Sequence, residues 1–419
     1  MGFSSLELHP SLIQGLQDQG YKQPTPIQEA AIPAILAGED IMAGAQTGTG
    51  KTASFALPIL QHLLNRTDTT HKDGAIKSVH SLILTPTREL AQQVHRSFQS
   101  YGRHTTLVPV LAYGGVSLKP QLDALKSGAD ILVATPGRLL DLIQKQAVDL
   151  SRLQHLVFDE ADRMLDMGFI IDIKRILKKI PSTRQTLLFS ATFNEEIFEF
   201  SKSLLKDPQL IEVDARNTTA AKVEQMVYGV DEDRKRELLS YIIGSKNWRQ
   251  VLIFVRTKQG ADELAKEMKK DGIETAAIHG DKSQGARERG LADFKEGKIR
   301  ALIATDVAAR GLDIQQLQYV VNYELPYIAE DYIHRIGRTG RAGSNGLAIS
   351  LMCTGEEYLL EEIEAILDHR LPQSWYSGYE PDPTKPAPKN KKNSRTAQKQ
   401  RAKDRAFGKK TGNHRRRQS

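Results

Sequence analysis

Residues 40–52 read Asp40-Ile-Met-Ala-Gly44-Ala-Gln-Thr-Gly-Thr-Gly50-Lys-Thr52. A run of strand character, Asp40–Ala43, enters a glycine-rich loop, and an apolar pattern of helical spacing begins at Lys51. Such a loop presents successive backbone N–H groups, and the helix behind it points the positive end of its dipole at the same place. Strand, G-x-x-x-x-G-K-[ST] loop and helix in that order make a phosphate-binding loop, with Ala45 where the generic pattern has glycine. The cradle falls to Ala45, Gln46, Thr47, Gly48, Thr49 and Gly50. Lys51 would reach the β- and γ-phosphates of a nucleotide, and the Thr52 hydroxyl would ligate Mg²⁺.

The same grammar continues along the chain. Strand candidates in the first half are Asp40–Ala43, Ser81–Thr85, Thr106–Leu111, Ile131–Ala134, His155–Phe158 and Thr186–Phe189. In the second half they are Val251–Val255, Thr275–His279, Ala301–Thr305, Tyr319–Asn322 and Leu347–Met352. Amphipathic helical stretches separate them, which predicts α/β architecture with parallel sheets and crossover helices. Several runs are apolar throughout, as strands covered on both faces must be. The stretch Asp214–Ala221 (DARNTTAA) is polar and aperiodic, and it predicts a linker between two units. The expected organisation is an N-terminal segment 1–29, a first domain 30–213, the linker 214–221, a second domain 222–379 and a tail 380–419. In open parallel sheets ligands bind beyond the carboxyl ends of the strands. Polar, glycine-containing segments follow nearly every strand here.

Composition narrows the class. The chain has 419 residues, 40% of them hydrophobic, enough for two cores. No apolar run approaches the roughly 18 residues that span a bilayer. The N-terminus MGFSSLELHP lacks a signal-peptide pattern, and Leu6 stands where a myristoylation motif needs Ser or Thr. A single cysteine, Cys353, excludes an internal disulfide, and the expected compartment is the cytoplasm. From Glu380 to Ser419 there are 14 Lys or Arg against three Asp or Glu, a net of +11. The preceding 379 residues carry 44 basic and 48 acidic side chains, a net of −4. The basic character therefore belongs to a tail too polar to fold alone, expected to be disordered and suited to nucleic-acid phosphate.

Two further segments complete a nucleotide site. The strand His155–Phe158 runs into Asp159-Glu160-Ala161-Asp162. Asp159 is placed to hold Mg²⁺, and Glu160 to orient and deprotonate an attacking water. Upstream stands Gly20-Tyr-Lys-Gln-Pro-Thr-Pro-Ile-Gln28. A glutamine amide both donates and accepts, so Gln28 can pair with the N6/N7 edge of adenine, while Tyr21 can pack on the base.

From Phe3 to about residue 365 the sequence resembles a DEAD-box RNA helicase, motif by motif and in order. Gln28 and the phosphate loop are followed by Pro86-Thr-Arg-Glu-Leu90, Gly114-Gly115, Thr135-Pro-Gly-Arg138, Asp159–Asp162 and Ser190-Ala-Thr192. The second half carries Leu252-Ile-Phe-Val-Arg-Thr257, Gln284 to Arg287, Ala304-Thr-Asp-Val-Ala-Ala-Arg-Gly-Leu-Asp313 and His334-Arg-Ile-Gly-Arg-Thr-Gly-Arg341. The resemblance implies two tandem RecA-like parallel-sheet domains with ATP and RNA at the cleft between them, and no departure disables catalysis. It implies that Arg338 and Arg341 face the γ-phosphate, Arg341 as the arginine finger, and that Asp313 holds the ribose. It implies RNA contacts at Arg88, Gly115, Thr135 and Arg138 in the first domain and at Arg287, Thr305 and Arg310 in the second. Asp162, Ser190, Thr192 and His334 would couple the two ligands. Short Gly and Thr side chains allow backbone N–H groups close to phosphate and 2′-OH, which favours RNA without base specificity.

Within that family the short N-terminal lead, Ile278-His-Gly-Asp-Lys-Ser-Gln-Gly-Ala-Arg287 and Gly378-Tyr-Glu-Pro-Asp-Pro383 resemble the bacterial RhlE branch. The branch implies work on structured RNA, rRNA or mRNA, in ribosome assembly or RNA turnover, with RNA-decay enzymes or ribosomal particles as protein partners. Two other readings share the motifs: an ATP-gated RNA clamp or annealer, and a processive DNA translocase. Nucleic-acid stimulation of hydrolysis separates the second from the RNA readings.

Overall fold

Short β-branched runs form the central strands, and the amphipathic stretches between them form the covering helices. The computed structural model describes residues 2–44, 49–66, 78–193, 195–212, 223–309, 314, 317–339 and 346–385. The chain divides into two compact units, Met1–Ala215 and Arg216–Ser419. The expected linker 214–221 and tail residues 386–419 lie outside the described residues.

In the first unit the strands are β1 (Ile41–Gly44), β2 (Ser81–Leu84), β3 (Pro109–Ala112), β4 (Ile131–Ala134), β5 (His155–Phe158), β6 (Gln185–Ser190) and β7 (Gln209–Glu212). They form one parallel sheet in the order β3-β4-β2-β5-β6-β1-β7. The second unit has β8 (Val223–Gly229), β9 (Val251–Val255), β10 (Thr275–Ile278), β11 (Ala301–Thr305), β12 (Tyr319–Asn322), β13 (Gly346–Met352) and β14 (Gln373–Trp375). Its parallel order is β10-β11-β9-β12-β13-β8-β14, the first order repeated strand for strand.

Helices cover both faces of each sheet and so create separate apolar layers. One layer of the first unit holds Phe55, Phe98 and Phe189, and the other holds Phe158, Met164 and Leu188. Each buried aromatic of this kind contributes on the order of 1.5–3 kcal/mol of transfer free energy. The central strands β2, β4, β5 and β6 are buried at every residue.

Three strands were absent from the sequence expectation, and all lie at or next to a sheet edge. In β7 only Ile211 is buried, β14 is exposed throughout, and β8 alternates buried Val223, Gln225 and Val227 with more exposed residues. Without a continuous apolar run they carry little periodic signal. The strand expected at Thr106–Leu111 starts at Pro109 instead. Before it, Val108 N–H donates to Asp130 Oδ2 (2.9 Å), a side-chain bond in place of a ladder bond.

The segment Glu380–Lys385, expected as the start of the tail, is bonded to the second unit. Asp382 N–H donates to Asp231, and Lys385 Nζ lies 3.0 Å from Asp231 Oδ2 and 2.9 Å from Asp233 Oδ2. Among the described residues no helix is long and apolar enough to cross a membrane.

Candidate functional site

The helix Lys51–Leu64 starts where the glycine pattern requires, and Gly50 caps it with φ 97° and ψ 14°. That left-handed geometry suits glycine, and a Cβ there would lie 2.4 Å from Gln28 Nε2. Lys51 is only 6% exposed, and its Nζ has no hydrogen-bond partner among the described residues. A buried ammonium without a partner is costly unless an anion completes it. Backbone N–H groups of the helix N-terminus converge on the same place, so a phosphate group fits. Thr52 follows on the first turn, half-buried, and Thr49 is half-buried ahead of Gly50. Ala45, Gln46, Thr47 and Gly48 lie outside the described residues.

Asp159 leaves β5 buried, its N–H donating to Leu84 O (3.0 Å) on the neighbouring strand. Burial pushes its carboxyl up to about 7; Glu160 and Asp162 push the same way, and Lys51 pulls against them. Burial thus disfavours the charged form of Asp159, and a cation beside it would restore the carboxylate. Thr52 and Asp159 are hard oxygen donors, the class that Mg²⁺ takes, usually alongside substrate phosphates and water. No group of three or more His, Cys, Asp or Glu could hold a metal among the described residues, so phosphate oxygens would have to complete the shell.

Glu160 has φ 57°, a left-handed conformation that non-glycine residues seldom adopt. Its carbonyl accepts from Arg163 N (3.0 Å) and Met164 N (3.2 Å), which starts the helix Ala161–Asp166 and holds the strained residue in place. Asp162 Oδ2 then accepts from Ala191 N and from Thr192 Oγ1, both at 3.3 Å. Ser190 Oγ donates to Thr192 O (2.7 Å). Asp162 is thus bonded to the Ser190–Thr192 turn within the first unit.

Gln28 sits at the third position of the helix Pro26–Leu36 and is fully buried. Its Oε1 accepts from Thr25 N (2.9 Å), and its Nε2 donates to Gly50 O (3.1 Å). One amide thus pins the Pro-Thr-Pro turn to the glycine before Lys51. Each end keeps one further hydrogen-bonding position, the capacity an adenine edge needs. The Tyr21 hydroxyl is 3.0 Å from that of Tyr101, and its ring stands edge-on to Phe3 and Tyr101.

Arg88, Gly115, Thr135 and Arg138 gather beyond β2, β3 and β4, which are neighbours in the order β3-β4-β2. Gly115 has φ 78°, and a Cβ there would lie 2.0 Å from Arg88 Nη2, so the guanidinium rests on bare backbone. Thr135 caps the helix Pro136–Gln144. Arg138 Nη2 donates to Val116 O (2.9 Å), while its buried Nη1 has no hydrogen-bond partner among the described residues. Lys51, Asp159 and the Ser190 turn instead follow β1, β5 and β6, on the other half of the same sheet edge. Strand order alone separates a cationic rim from the phosphate loop.

In the second unit Arg287 lies buried on the helix Gln284–Lys295 and Thr305 ends β11. His334 is half-buried on the last turn of the helix Ala329–Ile336, and Arg338 follows, largely buried. Arg310, Asp313 and Arg341 lie outside the described residues. Arg335, between His334 and Arg338, has a structural role that the motif does not reveal. It is 1% exposed, its Nε and Nη2 reach Asp306 Oδ1 (2.6 Å) and Oδ2 (2.8 Å), and Nη1 reaches Asn322 Oδ1 and Glu324 O. The signal available in the sequence was Asp306, an acid within an otherwise apolar strand-to-helix junction.

A sequence model of the DEAD/DEAH box helicase family matches residues 25–200, and a model of the helicase conserved C-terminal domain matches residues 234–343. Both halves of the chain thus match, in the order that the sheets repeat. The chain belongs to the DEAD-box helicase family. The ATP-dependent RNA helicase RhlB of Xanthomonas oryzae pv. oryzae is 42% identical over 373 residues, 88% of this chain and 65% of that protein. The ATP-dependent RNA helicase DeaD of Mycobacterium tuberculosis is 43% identical over 363 residues, 86% of this chain and 62% of that protein. This chain therefore spans a little under two thirds of the length of these curated relatives. Among solved structures, S. cerevisiae Dbp5 bound to RNA and ADP BeF3 superposes with a TM-score of 0.77 at 30% identity, covering 97% of this chain and 99% of that one.

Proposed function

We propose that the chain is an ATP-dependent RNA helicase, an RNA-stimulated ATP hydrolase that remodels structured RNA locally and non-processively. The observation that carries the nucleotide half of this reading is Lys51, a buried ammonium without a hydrogen-bond partner among the described residues, beside Asp159 and at a helix N-terminus. Lys51 and the loop N–H groups hold the β- and γ-phosphates, and Gln28 reads the adenine edge with Tyr21 packed near the base. Thr52 and Asp159 would hold Mg²⁺, which would supply neutralisation of phosphate charge. Glu160 orients the attacking water and takes its proton, and its fixed backbone limits the freedom of the carboxylate. Asp313 on the ribose and Arg338 and Arg341 on the γ-phosphate come from the second unit, so hydrolysis needs both units engaged.

Arg88, Gly115, Thr135 and Arg138 grip RNA phosphates from the first unit, and Arg287, Thr305 and Arg310 from the second. Arg138 supports this with a buried Nη1 that no described residue satisfies. Asp162, bonded to the Ser190–Thr192 turn, joins the rim to the nucleotide loop, and His334 extends the link to the second unit. The expected setting is the cytoplasm, in ribosome assembly or RNA turnover, in the manner of the RhlE branch. The test is hydrolysis in the presence of matched RNA or DNA strands, followed by unwinding against duplex length. RNA-specific stimulation, with opening that falls steeply beyond short helices, is expected. DNA stimulation with opening of long duplexes from one end would replace this reading with a translocase.

A further inference from the structure

Gly44 is the last described residue before the phosphate loop, and its ladder partner Ser190 opens the turn that Asp162 braces. That turn brings Phe193 back over β1. A Cβ on Gly44 would lie 2.6 Å from Phe193 Cε2 and 2.7 Å from Cζ, closer than carbon atoms approach. Gly44 is not among the residues with positive φ, so its backbone does not require glycine. What requires glycine is the room the ring occupies. Phe193 is half-buried, packs against the apolar layer of Met42 and Leu188, and meets Phe198 at 5.9 Å between centroids. A contiguous path therefore runs from the Glu160 loop through Asp162, Thr192 and Phe193 to Gly44, each link a hydrogen bond, a peptide bond or a packed contact.

We propose that Phe193 is a positioning residue: its ring, seated on Gly44, ties the carboxyl end of β1 to the Asp162-braced turn, and through that strand end it tunes ATP binding. The inference rests on the nucleotide reading of Lys51 given above. The ring lies on the bare backbone of Gly44, so a side chain added there must displace the ring. A change at Asp162 is thereby felt at the strand end that leads into the loop, without either touching nucleotide through Phe193 itself.

The test uses the full chain and four variants: Gly44→Ala, Phe193→Ala, Phe193→Leu and the double Gly44→Ala/Phe193→Ala. ATP affinity is measured by equilibrium titration, KM and kcat by RNA-stimulated hydrolysis, and folding by thermal melting. Gly44→Ala overfills the contact and is expected to weaken ATP binding by about tenfold, chiefly in KM. Phe193→Ala weakens it as well, while Phe193→Leu, which keeps more of the volume, weakens it less. The double variant recovers most of the loss, because the new methyl group fills space that the ring has left. A ring that only filled the apolar layer would lower the melting temperature with no recovery in the double variant. Wild-type KM in Gly44→Ala, or a double variant no better than the worse single, overturns the proposal. A wild-type chain that binds no ATP, or a Lys51→Ala chain that binds normally, would defeat the nucleotide reading instead.

Discussion

The two units share a sheet of the same strand order, yet they treat the same position in opposite ways. In the first, Lys51 opens the helix after β1, buried and without a hydrogen-bond partner among the described residues. In the second, Lys235 opens the helix after β8, equally buried, but its Nζ lies 3.2 Å from Glu356 Oε2. Glu356 also takes Arg256 Nη2 at 2.5 Å, and Arg256 N–H donates to Glu324 (2.6 Å). Burial pushes the Glu356 carboxyl up, but Lys235 and Arg256 outweigh it and hold it low. The carboxyl on which Lys51 acts in the first unit, Asp159 after β5, is pushed up instead. Among the described residues, the second unit thus pairs this lysine with a carboxylate and the first leaves its own without a hydrogen bond. One position of the rim, by contrast, is repeated: Thr135 follows β4 and Thr305 ends β11, the equivalent strand. Among the described residues the threonine position is repeated, while the lysine without a hydrogen-bond partner is not.

The largest effect expected from this difference is at Lys51. Lys51→Met should reduce ATP affinity by about a thousandfold or more, the cost of removing one partner of a buried charge contact. Without nucleotide the same change should leave stability equal or higher, because it removes an ammonium that no hydrogen bond satisfies. Titration with a fluorescent ATP analogue and urea unfolding of the nucleotide-free chain measure both. Near-normal affinity would show that the open charge is not the phosphate site.

Breaking the closed pair should do the reverse. Glu356→Gln leaves Lys235 and Arg256 buried with one countercharge fewer, and should cost about 3 kcal/mol of stability. Both tryptophans, Trp248 and Trp375, are in the second unit, so fluorescence-detected urea unfolding follows that unit. ATP affinity should change little by comparison. A stability loss below that of a surface substitution would mean the pair is not what closes this end of the second sheet.

A smaller contrast lies at the opposite ends of the strands. His155 begins β5 and stacks on His62, with rings 5.2 Å apart, whereas Tyr319 begins the equivalent β12 and stacks on Trp248 at 4.2 Å. Burial pushes the His155 imidazole down to about 3, and the positive charge of His62, Arg66 and His80 acts the same way. The unfolded chain takes up that proton near pH 6.5, and the native state does so only near 3. The associated stability is therefore complete above pH 6.5 and falls as pH drops towards 3, by up to about 1.4 kcal/mol per pH unit. Circular dichroism, which sees both units, should show an acid-sensitive transition that tryptophan fluorescence does not follow. His155→Phe should flatten it, and an unchanged slope would assign the acid sensitivity elsewhere.

Much of this was legible in the sequence because apolar strands buried on both faces and glycine-rich turns leave local signatures. Ile131–Ala134, His155–Phe158, Val251–Val255, Ala301–Thr305 and Tyr319–Asn322 have the bounds expected of them. The edge strands β7 and β14, and β8 beside β14, were illegible, since a strand covered on one side or not at all needs few apolar residues. Gln28, Lys51 and Asp159 were expected to face a ligand, but their partners within the protein could not be read. That Gln28 bonds to Gly50, that Arg335 is a core residue, and that Lys235 is the neutralised counterpart of Lys51 all depend on contacts distant in sequence. Residue type and spacing are the same for an open and a closed lysine, and only the packing of Glu356 separates them.

The repeated rim gives the smallest expected effect. Thr135 caps its helix without a side-chain hydrogen bond, so replacing its hydroxyl should change helix stability little. On the function proposed above, the Thr135 and Thr305 hydroxyls each meet an RNA phosphate or 2′-OH, and their equivalent positions imply similar contributions. Thr135→Val and Thr305→Val keep the side-chain shape and remove one hydrogen-bonding group. Each should weaken single-stranded RNA binding by about 1 kcal/mol, roughly fivefold. Because the two residues belong to separate sheets, the double variant should show the sum of the two losses when no ATP analogue is present. With a non-hydrolysable analogue bound, both units engage one strand together, and the losses should cease to add. Binding by matched RNA and DNA strands, measured by anisotropy at one fixed salt concentration, resolves the rest. If the hydroxyls read 2′-OH, the variants lose affinity for RNA and not for DNA. Equal losses on both would leave phosphate as the contact, and a loss confined to Thr135→Val would show that only the first rim grips RNA.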